Sequence, residues 1–188
     1  AEDLILSTTL PYLQLLPADI NLVGAEIELV QTSDREGVLR GKIAPLVPRY
    51  DFILLDAPPS LGLLTLNAMT AAQTLIIPTQ CEFYAMEGLS KLLKTVALVQ
   101  QKLNPGLRIE GILLTMFDSR NNLSSQVEEE VRSHFEDLVF KTVIPRNVRI
   151  SESPSHGMPV ILYDLHSRGA QSYLDLGKEL LERGQVDG

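Results

Sequence analysis

The sequence predicts an α/β fold in which a mostly parallel, doubly wound sheet is flanked by helices. Apolar runs short enough for strands alternate along the chain with helical patterns, which is typical of a parallel sheet. The run Phe52-Ile53-Leu54-Leu55 contains no polar residue and ends at Asp56, so it suits a strand buried on both faces. Residues 85–103 place their apolar side chains on one face and form the clearest helix, which Asn104-Pro105-Gly106 ends.

The other elements follow from the same signals. A helix is predicted to start at Ser33 or Asp34, and Pro45 and Pro48 disrupt it before the next strand. Because no linker, repeat or low-complexity tract separates the elements, residues 1–188 are predicted to form a single domain. Strands are predicted at 20–23, 51–55, 74–78, 109–115 and 139–144, and further helices at 61–71, 124–137 and 168–183.

Composition excludes several classes of protein. The chain has 45% hydrophobic residues, yet no apolar run approaches a membrane span, and the tail at 178–188 is too mixed in charge to bind a membrane. Residues 1–30 lack a basic segment before an apolar one, so no signal peptide is predicted. Cys81 is the only cysteine and cannot form an internal disulfide, which suits a reducing compartment and predicts a cytoplasmic protein.

The net charge of −8 argues by itself against nucleic-acid binding. Its distribution weakens that argument, because residues 138–150 contain Lys141, Arg146 and Arg149 and no acid. So small a basic patch would need a dimer or polymer to multiply it, and its DNA binding would depend steeply on salt.

Asp56 is the best-founded candidate for a functional residue. It ends an apolar strand, and Pro58-Pro59 stops that strand at the edge where open α/β sheets place their ligands. An acid at this position can hold a magnesium ion, as in the Walker B strand of nucleotide hydrolases. The alternative is an ordinary strand that ends in an Asp turn.

The phosphate-binding loop that normally accompanies a Walker B strand is not found in these residues. It requires G-x-x-x-x-G-K-[ST], and Gly37-Val38-Leu39-Arg40-Gly41-Lys42-Ile43 is one residue short and ends in Ile. This near match also follows a helix-start signal rather than a strand, so it is rejected as a phosphate loop.

Five stretches in order resemble the ParA/Soj family of chromosome- and plasmid-partition ATPases, and the chromosomal Soj branch more closely. Members of that family open with a deviant Walker A loop, Lys-Gly-Gly-x-Gly-Lys-Thr, and a second strand that ends in Asp, and this chain begins after both. The resemblance therefore predicts a P-loop NTPase fold of the deviant Walker A type that lacks its N-terminal P-loop βαβ unit. The matching stretches are residues 56–68, 80–89, 111–118, 143–149 and 153–157.

The resemblance implies ATP and Mg²⁺ as cofactors, with Asp56 as the catalytic residue and metal ligand. Two loops would flank the adenine base: Met116 and Pro145 would supply apolar faces, and Arg146 or Asn147 polar contacts. Without the family, Met116 would be interpreted as a core residue and Pro145 as a turn former.

The resemblance also implies that Arg120 and Arg149 contact DNA, and Lys141 could belong to the same patch. Guanidinium groups suit phosphate because they present forked donors and keep their charge. Such contacts position a protein on DNA without reading its sequence. Taken alone, the arginines would be interpreted as solvated surface residues.

The implied protein is a Mg²⁺-dependent ATPase that forms a homodimer around two ATP molecules, binds non-specific DNA and is reset by hydrolysis. Its partners would be that DNA and a centromere-binding protein of the ParB or Spo0J type, its cargo a chromosome or a plasmid, and its location the nucleoid. The 188 residues alone are predicted to be catalytically inactive. The alternative is a nucleotide-independent interaction module that retains the DNA- or partner-binding surface.

Overall fold

The structure is a computed structural model that describes residues 2–19 and 21–186. The chain clusters into two compact units, Ala1–Gln73 with Thr95–Arg108 (unit 1), and Thr74–Lys94 with Ile109–Gly188 (unit 2). The prediction of a single domain stays a prediction.

Among its described residues, unit 1 contains a short antiparallel hairpin, three complete α-helices and the end of a fourth. The hairpin pairs β1 (Leu6–Ser7) with β2 (Gln14–Leu15). Buried Asn67 joins two of the helices, because its amide oxygen accepts from Leu39 N at 3.0 Å and its amide nitrogen donates to Arg35 O at 2.8 Å. The complete helices are α1 (Leu22–Leu29), α2 (Val38–Ile43) and α3 (Leu63–Ala71).

The predicted strand at 51–55 is wrong. Residues 52–58 belong to no helix or strand, and the side chains of Phe52 and Leu54 are 62% and 82% exposed. A strand needs neighbouring segments that complete its backbone hydrogen bonds. Among the described residues, sheets form only between β1 and β2 and between β3 (Thr74–Gln80) and β4 (Arg108–Thr115).

Two further predictions in unit 1 are also wrong. In place of the strand at 20–23, Leu22 and Val23 lie in α1, because the Asp19 carboxylate accepts from Asn21 N at 2.8 Å and forms a turn that leads into the helix; Ile20 lies outside the described residues. The helix expected at Ser33 or Asp34 begins at Val38, because Asp34 adopts a left-handed turn conformation with φ of 55°.

Unit 2 is built on parallel strand pairing. At one end of the β3–β4 pair Arg108 N donates to Gln73 O at 3.0 Å, both residues belonging to unit 1, and at the other end, in unit 2, Cys81 N donates to Thr115 O at 3.1 Å. The predicted strand at 139–144 is present only as parallel bridges, Ile112 with Val139 and Phe117 with Pro145. The predicted α/β class, with parallel strands and flanking helices, is confirmed.

The helices of unit 2 largely match the prediction. The predicted apolar faces of α4 and α5 are buried, since Leu89 of α4 and Val127 and Val131 of α5 pack in one core with Ile112 and Leu114 of β4. On α8, Leu176 and Leu180 pack against a core, whereas Tyr173, Leu174 and Leu181 are exposed, so that face is only partly buried. Burial raises the pKa of the Cys81 thiol to about 11, so this cysteine stays protonated. The helices are α4 (Ala85–Lys102), α5 (Asn122–Phe135), α6 (Val148–Glu152), α7 (Val160–Tyr163) and α8 (Arg168–Val186).

A second core cluster, which includes Phe140, is closed by an arginine from α8. Phe140 is fully buried, and the Arg183 guanidinium carbon lies 4.2 Å from its ring centre. Arg183 also donates to Val139 O at 3.0 Å and to Glu110 O at 3.2 Å, and it pairs with Glu179 at 3.1 Å. Arg183 thereby connects α8 to β4, through Glu110, and to the segment that contains Val139.

Gly111 should be intolerant of a side chain, because a Cβ there would lie 2.6 Å from Phe140 Cε2 and 3.0 Å from Leu138 O. We expect Gly111→Ala to lower the free energy of unfolding by about 1–3 kcal/mol, the usual cost of overpacking. Gly177→Ala is the matched control, since no atom lies within 4 Å of its added methyl group; on α8 it should be neutral or slightly stabilising. Equal midpoints for the two variants in urea denaturation would contradict this account.

Candidate functional site

The structure brings the two predicted adenine loops of unit 2 together. Phe117 forms a parallel bridge with Pro145. Its backbone nitrogen donates to Ile144 O at 3.2 Å, while Arg146 N donates to Phe117 O at 2.8 Å. Met116 and the segment 145–147 therefore lie at the carboxyl edge of the parallel sheet, which is where such sheets bind ligands.

Met116 is held in an unusual conformation at this edge. Its φ is 54°, in the left-handed region that residues other than glycine adopt uncommonly. The residue is 39% exposed, so the interpretation of Met116 as a core residue is wrong. Pro145 is half-buried and Arg146 is exposed. Apolar groups and a cation thus lie side by side, which is the arrangement expected for contacts to a base.

Asn147 links this edge to the next helix. Its side-chain oxygen accepts from Arg149 N at 2.9 Å and caps the N-terminus of α6. The amide therefore fixes the start of the helix that carries Arg149, one of the predicted DNA-contact residues.

Arg120 lies beyond the Met116 loop with its side chain 87% exposed. Its guanidinium donates two parallel hydrogen bonds to the Asp118 carboxylate, from Nε to Oδ1 at 2.9 Å and from Nη2 to Oδ2 at 2.8 Å. These hydrogen bonds hold the pKa of the Asp118 carboxyl well below its usual range, so the pair is charged at neutral pH.

Arg149 is bound by two acids. Its Nη1 lies 3.0 Å from Glu152 on the same helix, and its Nε lies 3.2 Å from Asp164, which follows α7. The hydrogen bond to Glu152 is the main reason that the pKa of Arg149 is raised above its usual value.

Lys141 is exposed, and its backbone nitrogen donates to Glu179 Oε1 at 2.7 Å. Burial opposes ionisation of Glu179, but hydrogen bonds from Lys141, Thr142 and Arg183 outweigh burial, so its pKa is lowered. Lys141 is thus presented from a segment that is anchored to α8 by a charged carboxylate.

Asp56 lies in unit 1, exposed and within the irregular segment 52–58. The loop after it is tied to α3, because the buried Thr65 hydroxyl donates to Ser60 O at 2.5 Å and Pro58 O at 3.2 Å. Within residues 2–19 and 21–186, no three His, Cys, Asp or Glu side chains are grouped to hold a metal ion. A single carboxylate such as Asp56 suits the hydrated Mg²⁺ of nucleotide sites, where phosphates complete the ligand set.

Sequence reasoning missed Asp118, Glu152 and Asp164, the acids that pair with the two arginines. The spacing of Arg149 and Glu152 on one helix, three residues apart, could have indicated that pair. Asp164 has no such local signal, because the turn after α7 brings it to α6.

An apolar groove in unit 2 is lined by residues other than these. It has a volume of about 610 Å³ and is lined by Phe83, Tyr84, Leu89, Leu92 and Leu123. No helix among the described residues has the length and apolar character needed to cross a bilayer.

The chain is similar in sequence to known chromosome-partitioning proteins. A family model described as "AAA domain" matches residues 1–109. The chain is 59% identical over 182 residues to the sporulation initiation inhibitor protein Soj of Bacillus subtilis, covering 97% of this chain and 72% of that protein. It is 57% identical over 182 residues to the chromosome partitioning protein ParA of Myxococcus xanthus, covering 97% of this chain but only 64% of the relative.

Solved structures give the same fold. Cobyrinic acid a,c-diamide synthase from Mycobacterium smegmatis, with bound ADP and magnesium, superposes with a TM-score of 0.82 at 35% identity over 100% of this chain and 69% of its own. The cell division ATPase MinD of Pyrococcus furiosus gives 0.72 at 24% identity over 100% of this chain and 71% of its own, which supports the fold alone. The predicted P-loop NTPase fold class is confirmed, and the chain belongs to the ParA/Soj family of chromosome-partitioning ATPases.

Proposed function

We propose that the full-length protein is a partition ATPase that binds ATP with Mg²⁺, forms a homodimer and holds non-specific DNA until hydrolysis releases it. The observation that carries this proposal is the parallel bridge between Phe117 and Pro145. It supports the proposal because the Pro145 loop leads directly into α6, the helix that bears Arg149.

On the nucleotide side, Met116 and Pro145 would pack against the adenine, and Arg146 or Asn147 would contact its polar edge. The bridge between their loops supports this assignment, since it brings all four residues to one edge of the sheet. Asp56 would hold Mg²⁺ through its water shell and act in catalysis. The magnesium and nucleotide in the synthase of Mycobacterium smegmatis are consistent with such a site.

On the DNA side, Arg120, Arg149 and Lys141 would contact backbone phosphates without reading bases. All three residues are exposed. Because the whole chain carries a net charge of −8, one copy would bind DNA weakly, and a dimer would gain avidity by presenting two patches. The protein would thus gather on the nucleoid in its ATP-bound form and respond to a ParB- or Spo0J-type partner.

The DNA contacts can be tested with Arg120→Ala and Arg149→Ala in the full-length protein with Mg-ATP. Each substitution should weaken binding to duplexes of unrelated sequence by a similar factor and reduce the slope of log affinity against log salt by about one. Fluorescence anisotropy at several salt concentrations measures both quantities.

Lys94→Ala is the matched control, since it removes the same charge from an exposed position on α4. If it reduces affinity as much as the arginine substitutions, the effect is one of net charge and the assigned contacts are wrong. DNA affinity that is indifferent to ATP would instead favour the nucleotide-independent interaction module.

A further inference from the structure

The surroundings of Arg149 carry more negative than positive charge. Glu152 and Asp164 both lie within salt-bridge distance of its guanidinium, at 3.0 Å and 3.2 Å. The cluster thus holds one cationic and two acidic side chains. A DNA phosphate that approaches Arg149 therefore meets a guanidinium that is already paired with two acidic side chains.

Both acidic residues have further contacts, Asp164 through its backbone and Glu152 through its side chain. Asp164 sits in a turn, where its backbone nitrogen donates to Val160 O at 2.9 Å and its carbonyl accepts from the Ser167 hydroxyl at 2.8 Å. Glu152 accepts from the Tyr163 hydroxyl at 3.4 Å, and the Tyr163 ring stacks on His156 with centroids 4.8 Å apart. The acids are thus held beside the arginine by the α6–α7 packing.

We propose that Glu152 and Asp164 are positioning residues that hold Arg149 in a closed ion-pair latch, which DNA phosphate must open in order to bind. This inference rests on the proposed DNA contact of Arg149. In the latch, Nη1 and Nε are committed to carboxylates, so the forked donor face that suits phosphate is not available as a whole.

The latch is weak enough to open. The Arg149 side chain is 51% exposed, and exposed ion pairs contribute little because water and salt screen them. The closely spaced phosphates of DNA can displace the carboxylates from Arg149 when several protein–phosphate contacts form together. The consequence is that one patch binds poorly, whereas two patches in a dimer can open their latches cooperatively.

Asp164→Asn in the full-length protein with Mg-ATP tests the latch, because it removes one carboxylate charge and keeps the side-chain shape. We expect affinity for a duplex of arbitrary sequence to rise about three- to tenfold at low salt. The slope of log affinity against log salt should stay close to that of the unmodified protein, since Arg149 neutralises the same phosphate in both complexes. Glu152→Gln should act in the same direction, and Asp164→Glu should restore the affinity of the unmodified protein.

Asp175→Asn is the matched control. It makes the same change of charge on α8, where Asp175 pairs with Lys178 at 3.3 Å. Melting temperatures of all variants identify any change that acts through folding. If Asp175→Asn raises affinity as much as Asp164→Asn, or if Asp164→Asn lowers affinity, the latch is overturned.

A double-mutant cycle separates this inference from the proposed function. In an Arg149→Ala background, Asp164→Asn should give no gain, because there is no arginine to release. If Arg149→Ala weakens binding but the gain persists in its background, only the latch is wrong. If Arg149→Ala alone leaves affinity unchanged, the proposed DNA contact fails and the latch fails with it.

Discussion

A polypeptide of these 188 residues alone should release phosphate from Mg-ATP no faster than a protein-free blank. Phosphoryl transfer depends on positioning and on neutralising charge at the β- and γ-phosphates. The one near match to a phosphate loop forms a helix: residues 38–43 are α2, and Gly41 N donates to Gly37 O at 3.1 Å instead of facing an anion. A single carboxylate such as Asp56 cannot by itself hold a triphosphate.

A phosphate-release assay and calorimetry with Mg-ATP measure this directly. Binding should be weak at best, from the Met116 and Pro145 loops, and DNA affinity should not respond to ATP. The full-length protein is the positive control, in which Asp56→Ala should abolish turnover. Tight ATP binding by the 188-residue polypeptide, or turnover that Asp56→Ala removes, would show that it contains a phosphate site.

Phe140→Ala should cause the largest loss of stability in unit 2. The side chain is fully buried, and Arg183 lies over its ring at 4.2 Å. Phenylalanine-to-alanine substitutions in cores cost about 3–5 kcal/mol, because the lost burial is joined by the cost of a cavity. Here the loss includes a cation–π contact, typically about 0.5–2 kcal/mol. Urea denaturation of wild type and variant measures the difference.

Phe83→Ala is the matched control for Phe140→Ala, since the same atoms are removed from a residue that is 74% exposed in the same unit. Its effect should stay within about 0.5 kcal/mol, as for most surface substitutions. Similar denaturation midpoints for the two variants would mean that the Phe140 cluster does not support the fold.

The three long helices of unit 2 could be predicted from sequence because the apolar period of a helix is local information. Predictions at 85–103, 124–137 and 168–183 correspond to Ala85–Lys102, Asn122–Phe135 and Arg168–Val186. The segment 51–55 shows the limit of such reasoning. Its apolar run indicates that the side chains favour burial, whereas a strand is defined by backbone partners that are often distant in sequence.

The candidate site was predictable as a set of residues but not as a set of interactions. Resemblance to a family gave Met116, Pro145 and Arg149, and the structure brings the loops of the first two together. It could not give the carboxylate of Asp164 beside Arg149, because that contact depends on how the turn after α7 packs on α6.

The cap formed by Asn147 has an evolutionary consequence. Its amide oxygen serves the helix N-terminus, so its amide nitrogen is the group left to donate to a base in the proposed nucleotide site. A substitution at this position would alter the start of α6 and the contact to a nucleotide in one step. The preference for a nucleotide base and the orientation of Arg149 would therefore have to change together during evolution.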